Sequence, residues 1–225
     1  MQAVSVFDIF KIGIGPSSSH TGGPMTAAYE FSQQVAEIAE QVEGVEVSLH
    51  GSLAFTGKGH GTDTAIVLGL MGFKPDTVDP NEVENLLRTV HGDKQLKMPN
   101  VGVLPFDPET ALRFDYDVEL PRHTNGMRFI AHGSNGDVVL NEAYYSLGGG
   151  WIARGDEPEP TSRDGKAKYD FTSADQLLEV AASEEATIAE LILDNETVWQ
   201  PEDEVLQQID RIWEAMNACI ERGLH

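Results

Sequence analysis

Apolar side chains recur along the first part of the chain at two different spacings. After Pro24 they return every three or four positions, which predicts a helix with Pro24 in its first turn, where the missing N–H has no cost. The helical positions are Met25, Ala28, Phe31 or Ser32, Val35, Ile38 and Val42. Residues 45–50 alternate between apolar and polar, which predicts a half-buried strand. This strand is expected to lead into the loop GKGHGTD (57–63), where Thr62 or Asp63 caps the next helix.

The same two spacings continue towards the middle of the chain. A capping box at 79–82 is predicted to open a helix that Gly92 stops. Residues 112–120 alternate strictly, which predicts the most regular strand of the sequence. Asn135 and Gly136 lie between two further strand patterns and predict a hairpin with a type I′ turn, in which both central residues have positive φ.

Beyond the hairpin the composition changes. Residues 154–173 carry charge, proline and glycine without periodicity, which is typical of a linker. Capping boxes are predicted to begin at Ser173 and Thr187, and Pro201 opens a last helix. One apolar stripe along that helix is expected to pack on other helices, and it consists of Val205, Ile209, Ile212, Met216 and Cys219.

These elements predict an α+β fold: a mixed or antiparallel sheet with packed helices, followed by a short all-α segment. We predict a first domain over 1-153, a linker over 154-173 and the opening helices of a second domain over 174-225. Three short helices with one apolar stripe form a small core. The chain is therefore expected to be the N-terminal portion of a longer protein, or one subunit of a protein built from two different chains.

The charge and the cysteine count narrow the classes of function. The chain has 15 lysines and arginines against 37 aspartates and glutamates, a formal net charge of −22, which argues against nucleic acid or an anionic membrane as partner. There is no leader-like N-terminus and no run of about 18 apolar residues, so we expect a cytoplasmic protein. Cys219 is the single cysteine, which excludes an internal disulfide and any cluster or zinc site made from this chain's own thiolates.

The stretch IGIGPSSSHTGGP (12–24) is rich in hydrogen-bonding groups and poor in side chains that could be buried. Its glycines allow a close approach of the backbone to a ligand, and the helix that follows favours an anion such as a carboxylate or phosphate. The hydroxyl groups beside this helix start belong to Ser17, Ser18, Ser19 and Thr21. The stretch matches neither a phosphate-binding P-loop nor a dinucleotide fingerprint. A capped turn that binds nothing explains the same residues.

Two further loops carry histidines. His60 lies between two glycines, which suits a general base or a ligand contact, although a plain surface loop is equally consistent. His123 and Asn125 could face a substrate, or Asn125 could simply form a turn with the glycine that follows it. The other internal histidines are interpreted as structural or solvated, and they are His50, His91 and His132. Three polar, glycine-containing, histidine-bearing loops together favour a site more than any one of them does.

Four motifs carry a resemblance to a known family. They are SVFDIFKIGIGPSSSHTGGPM (5–25), GSLAFTGKGHGTD (51–63), RHTNGMRF (122–129) and YYSLGGG (144–150). In this order they closely resemble the β domain of the iron–sulfur-dependent bacterial L-serine dehydratases. The tail segments TIAELILDNE (187–196) and RIWEAMNACIERGLH (211–225) are similar to the opening helices of that family's α domain. The β domain also resembles the allosteric substrate-binding domain of some phosphoglycerate dehydrogenases.

The resemblance implies an L-serine ammonia-lyase, which converts L-serine to pyruvate and ammonia by eliminating water. It implies a [4Fe–4S] cluster held by cysteines of the α domain, with none bound by this chain alone, which is therefore expected to have no deaminase activity. It assigns His60 as a base and His123 as a second base or proton donor. The residues that it assigns to binding the substrate are Ser17, Ser18, Ser19, His20, Thr21 and Asn125.

The partners implied by the resemblance are L-serine, the missing α catalytic domain and a second copy of the chain in a homodimer. Two other functions are consistent with the same sequence. A serine-sensing or dimerising regulatory module is the first, because the β domain is similar to an allosteric domain. The second is a scaffold in which the three loops serve only as turns.

Overall fold

The computed structural model describes residues 4–159 and 167–225, whose contacts form two compact units. The first unit contains residues 13–159, and the second contains 4–12 together with 167–225. The predicted division into 1-153, 154-173 and 174-225 stays a prediction. Residues 160–166 of the predicted linker lie outside the described residues.

The described helices are numbered in chain order. They are α1 (Val6–Ile9), α2 (Gly23–Glu37), α3 (Ser52–Thr56), α4 (Thr62–Leu70), α5 (Val83–Asp93), α6 (Pro108–Ala111), α7 (Ala174–Ser183), α8 (Ile188–Glu196) and α9 (Glu202–Leu224). A π-helical turn, Ser18–Gly22, runs directly into α2, and 3₁₀ turns cover Ala39–Gln41 and Gly57–His60. None of the helices in these described ranges is long and apolar enough to cross a membrane.

The strands form one large and one small sheet, both in the first unit. They are β1 (Gly44–His50), β2 (Gln95–Met98), β3 (Gly102–Pro105), β4 (Leu112–Asp115), β5 (Gly126–His132), β6 (Val138–Gly148) and β7 (Trp151–Arg154). The five-stranded sheet has the order β4-β1-β5-β6-β7, in which β4 is parallel to β1 and the other pairs are antiparallel. Strands β2 and β3 pair separately. The predicted α+β fold with a mixed sheet followed by helices is confirmed.

Helix α2 carries the core of the first unit between the sheet and α4. The ring of Phe31 on α2 lies 5.2 Å from that of Phe129 on β5, which meets Tyr144 on β6 edge-on at 5.5 Å. All three side chains are fully buried. Each buried aromatic ring removes a large apolar area from water. On the other face of α2, Gly69 of α4 lies so close that an added Cβ would be 2.4 Å from the backbone oxygen of Met25.

Strand β4 is shorter than its sequence pattern predicts. The alternation runs over 112–120, whereas the strand ends at Asp115. Its neighbour β1 ends at His50, which is opposite Asp115, so the backbone beyond this point has no strand to pair with. Tyr116 and Val118, both predicted to be buried strand positions, are exposed. The prediction was wrong at this edge because alternation reports side-chain polarity and not the length of the neighbouring strand.

Two helix starts also differ from the predictions. Gly61, with a φ of 67°, precedes α4, and neither Thr62 nor Asp63 caps it. Helix α5 begins at Val83 without a side-chain cap, because the predicted box at 79–82 instead forms a separate turn.

The C-terminal ends of α2 and α5 differ as well. Helix α2 ends at Glu37, so Ile38 and Val42 lie outside it. Gly92 lies inside α5, which ends one residue later, and Lys94 follows in the left-handed conformation with a φ of 52°.

The β5–β6 hairpin forms as predicted, but its turn type was wrong. Gly136 has a φ of 75°, while Asn135 is not in the positive-φ region that a type I′ turn requires. The loop is instead closed by a hydrogen bond of 2.9 Å from the backbone N–H of Gly133 to the carbonyl of Asp137. A register shift after Ala131 accommodates the longer loop.

In the second unit the N-terminal residues contact the end of α8. The Ser5 hydroxyl donates to Glu196 Oε2 at 2.9 Å, and the Val6 backbone N–H donates to Glu196 Oε1 at 2.7 Å. Glu196 is at the end of α8 and only 2% exposed. Residues 4–12 therefore pack with the C-terminal helices, whereas the sequence placed them in the first domain.

The predicted caps of the C-terminal helices are largely present. Thr187 and Glu190 form a complete capping box at the start of α8. Ser173 caps α7, but the Gln176 side chain accepts from the Thr172 backbone rather than from Ser173. Pro201 precedes α9 as predicted. Of the apolar stripe on α9, Val205 is buried while Ile209, Met216 and Cys219 are exposed, so its packing on further helices stays a prediction.

Candidate active site

The segment after β1 contacts the predicted loop that carries His123 and Asn125. Gly51 turns the chain with a φ of 53°, and the Ser52 backbone N–H then donates to the Thr124 carbonyl at 2.9 Å. A Cβ at position 51 would lie 2.3 Å from that carbonyl, so the approach requires glycine. The loop carrying His123 and Asn125 is therefore held against the end of β1, next to α3.

The opening loop and the His60 loop also meet. The rings of His20 and His60 lie 4.9 Å apart, tilted by 44°. His20 is part of the π-helical turn Ser18–Gly22, which Ser17 caps by accepting the His20 backbone N–H at 3.3 Å. Single π-helical turns are frequent at functional sites.

Two buried threonines connect the backbones of these histidines. The Thr21 hydroxyl donates to the His60 carbonyl at 2.9 Å, and the Thr62 hydroxyl donates to the His20 carbonyl. Thr21 is 2% exposed and Thr62 is 0% exposed, so loss of either bond would leave a buried threonine hydroxyl without this partner. This threonine pair sets the spacing between the two histidines. It also explains why Thr62 does not cap α4.

The His20 ring is bonded on both sides. Its Nδ1 lies 2.9 Å from Ser19 Oγ and its Nε2 lies 3.1 Å from Ser52 Oγ. Ser19 Oγ is in turn 3.3 Å from Ser17 Oγ. Burial lowers the pKa of His20 below its ordinary value of 6.5, and the nearby His60 lowers it further. His20 is therefore neutral near pH 7, with its ring held in place by hydroxyl groups.

The lowered pKa of His20 can be measured directly. We expect the His20 ring to titrate below 6.5 in the folded chain, and a His60→Gln substitution to raise this pKa, because it removes a positive charge that forms nearby. The folded chain takes up this proton at lower pH than the unfolded chain. The free energy of unfolding should therefore fall as the pH drops from 6.5 through the lowered pKa.

Histidine ring signals followed by NMR against pH test this prediction. A His91→Gln variant is the matched control, because His91 is exposed on α5. A His20 pKa at or above 6.5 in the unaltered chain would contradict the prediction.

The contacts of His60 determine its neutral tautomer. Its Nδ1 lies 2.8 Å from the Thr56 carbonyl, which can only accept, so Nδ1 carries the hydrogen. The neutral ring then has a free lone pair on Nε2. His60 ends the 3₁₀ turn Gly57–His60, and its ring is not packed into the core. The geometry thus presents Nε2 as a proton acceptor.

His123 has the opposite tautomer. Its Nδ1 accepts the Asn125 backbone N–H at 3.0 Å, so the hydrogen of the neutral ring is on Nε2. The Nε2 of His123 is therefore a proton donor, whereas the Nε2 of His60 is an acceptor. The two neutral rings thus differ in that one has an accepting Nε2 and the other a donating Nε2.

Asn125 and Thr21 have buried supporting positions. Asn125 is 7% exposed. Its side-chain amide donates to the Ser146 backbone carbonyl at 3.1 Å, and its backbone carbonyl accepts the Ser146 backbone N–H at 3.0 Å. These bonds anchor the His123 loop on β6, as the Thr21 hydroxyl anchors the His60 loop. Ser18 is exposed at the first position of the π-helical turn. The predicted substrate contacts of Thr21, Asn125 and Ser18 stay predictions.

Sequence reasoning missed the residues of the short helix α3. Ser52 contacts His20, and Thr56 accepts from His60, yet both were passed over as residues of a strand leading into a loop. A helix of five residues is too short to show a helical period. His50, in contrast, is a buried structural histidine as predicted, bonded to Ser48 Oγ and the Val118 carbonyl.

The side chains of this site do not suit a metal ion or an iron–sulfur cluster. Within residues 4–159 and 167–225 there is no group of three or more histidine, cysteine, aspartate or glutamate side chains that could hold a metal ion. Cys219 is exposed on α9. A cluster needs several thiolates close together, so the described residues do not fit one.

The loops of a mixed sheet thus bring the rings of His20 and His60 together, and Ser52 contacts both His20 and the loop that carries His123. Residues 5–157 match the family described as serine dehydratase beta chain, and the chain belongs to this family. It is 40% identical to the L-serine dehydratase of Streptomyces coelicolor, over 99% of this chain and 50% of that protein. It is 38% identical to L-serine dehydratase 1 of Escherichia coli, over 99% and 49%. The chain thus spans about half the length of the curated relatives it matches.

Proposed function

We propose that this chain provides the acid–base histidines and the substrate-binding hydroxyls of an L-serine ammonia-lyase. The relatives at 38–40% identity are named L-serine dehydratases, which supports this reaction class. The observation that carries the proposal is the pair of opposite tautomers at His60 and His123. A scaffold that needed only turns would have no use for this complementarity, and a serine sensor would not need to transfer protons.

The serine carboxylate is proposed to bind at the π-helical turn. This turn and α2 form one continuous helical segment, whose N-terminus favours negative charge. Ser17, Ser18 and Ser19 surround this end with hydroxyl donors, and His20 is beside them. Asn125 and Thr21 support the two neighbouring loops and are the remaining proposed substrate-binding residues.

The proposed proton transfers follow from the tautomers. His60 Nε2 takes the proton from Cα of serine, and the Cβ–O bond breaks as His123 Nε2–H protonates the departing hydroxyl to water. The proton held by His60 then passes to His123 through water, which returns both rings to their neutral tautomers. The enamine product then tautomerises to an imine, which water hydrolyses to pyruvate and ammonia. Because burial keeps His20 neutral, no second positive charge forms beside His60 when it is protonated.

The other components of the complete enzyme remain proposals. We propose that an α catalytic domain holds a [4Fe–4S] cluster in the complete enzyme, and that this chain alone binds no cluster and has no deaminase activity. The homodimer and the cytoplasmic location are likewise expectations from the family resemblance.

The carboxylate site is tested by a substrate that lacks the negative charge. With the complete enzyme, we expect L-serinamide to react with a kcat/KM at least about 100-fold below that of L-serine, because several hydrogen bonds to a charged group are weakened. The release of pyruvate from L-serine, and of pyruvamide from L-serinamide, is measured with a carbonyl reagent. Equal values for both compounds would contradict a carboxylate site at this turn.

A further inference from the structure

Ser52 makes the contact that joins two of the site's loops. It is the first residue of α3 and follows β1 by two positions. Its hydroxyl lies 3.1 Å from His20 Nε2. Its backbone N–H donates to the Thr124 carbonyl at 2.9 Å and also lies 3.2 Å from Thr124 Oγ1. One residue thus touches both the ring of His20 and the loop that carries His123.

The two hydrogen-bond partners of the His20 ring belong to different segments of the chain. Ser19 belongs to the same π-helical turn as His20, so its bond moves with the ring. Ser52 belongs to a segment that is anchored at the end of the sheet, beside Gly51 and Thr124. The bond from Ser52 therefore determines where the ring lies relative to the sheet and to His60.

A neutral imidazole has one donor and one acceptor nitrogen, and a hydroxyl can serve either. Loss of the Ser52 hydroxyl would leave Nε2 without its partner and free the ring to rotate about its side-chain bonds. The direction of the ring matters here because the centroids of His20 and His60 are only 4.9 Å apart. A small rotation would change the space between them, where a substrate has to fit.

We propose that Ser52 is a positioning residue that orients the His20 ring and, through its backbone, holds the His123 loop beside it. Its importance for turnover rests on the proposed function, but its contact with His20 does not. The signal in the sequence is the Gly51-Ser52 step directly after a strand, where the chain has to turn sharply and a small hydroxyl residue follows.

The proposal is tested on the full 225-residue chain with ¹⁵N-labelled histidine. In a Ser52→Ala variant we expect the ring ¹⁵N signals of His20 to shift, with a change in its tautomer population and pKa, and a Ser52→Thr variant to restore them. Ser48→Ala is the matched control, because Ser48 Oγ lies 2.9 Å from Nε2 of the structural His50. This control should move His50 signals and leave those of His20 unchanged.

The same substitutions in the complete enzyme give the second readout. We expect Ser52→Ala to lower kcat/KM for L-serine about tenfold, and Ser52→Thr to recover most of it. Unchanged His20 signals in Ser52→Ala, or Ser52→Thr signals that match those of Ser52→Ala, would overturn the proposal. If the His20 signals move but turnover does not, the contact stands, and the role given to His20 in the proposed function is wrong.

Discussion

A His60→Gln variant of the complete enzyme is expected to lose about 100- to 10,000-fold in kcat for L-serine, the range over which a positioned general base contributes. Glutamine keeps a polar side chain of similar length but cannot accept the α-proton. The fold should survive, because Thr21 bonds to the backbone carbonyl of His60 and not to its ring. Pyruvate formation measured across pH checks the prediction, and the acid limb that reports deprotonation of the base should disappear.

His91→Gln is the matched control for this experiment. His91 is exposed on α5 and is not among the proposed site residues. The turnover of the His91→Gln enzyme should therefore equal that of the unaltered enzyme. A His60→Gln enzyme that keeps full turnover would refute the role of His60 as base and would favour a scaffold or sensing function for the three loops.

Gly69→Ala is expected to destabilise the chain by about 3 kcal/mol, at the upper end of the cost of overpacking a core. The added Cβ would lie 2.4 Å from the Met25 carbonyl oxygen, 2.6 Å from Ala28 Cβ and 3.0 Å from the Tyr29 backbone nitrogen. Two of these are backbone atoms of α2, which cannot move without shifting the helix. Because α2 continues the turn of His20 and α4 begins just after His60, such a shift would also strain the threonine pair.

Gly92→Ala tests the same substitution where there is space. Gly92 lies inside α5, and nothing is within 4 Å of the Cβ that would be added. Alanine should therefore stabilise the chain slightly, by about 0.5–1 kcal/mol, because glycine is the poorer helix former. Urea unfolding of both variants gives the comparison. Changes of the same sign and size would show that α2 and α4 do not approach each other as closely as the structure has them.

The sequence correctly predicted those helices and strands that depend only on residues close together in the chain. The capping box at Thr187 needs only residues three apart, and it is present in full. Strand β1 follows from the alternation of residues 45–50, and the start of α2 follows from Pro24. The glycine-rich loops could also be named as candidates, since glycine and hydroxyl residues without periodicity are visible in the sequence alone, and their role in a site stays a prediction.

Predictions failed where a distant partner decides the outcome. The alternation over 112–120 could not show that β1 ends at His50, and so could not show where β4 stops. The role of Thr62 depended on the His20 carbonyl rather than on the helix that it begins. The bonds from Ser5 and Val6 to Glu196 join residues about 190 positions apart, and no local pattern indicates them.

The sequence by itself therefore determined the fold class, most of the helices and strands, the family through its four motifs, and the three loops that carry the candidate histidines. Only the tertiary structure decided that His20 and His60 are in ring contact, that Ser52 links His20 to the His123 loop, and which nitrogen carries the hydrogen in the neutral rings of His60 and His123. The physical reason is that hydrogen bonds and steric contacts act over a few ångströms. Residues distant in sequence come within that range only when the sheet order β4-β1-β5-β6 and the packing of α2 against α4 have brought their loops together.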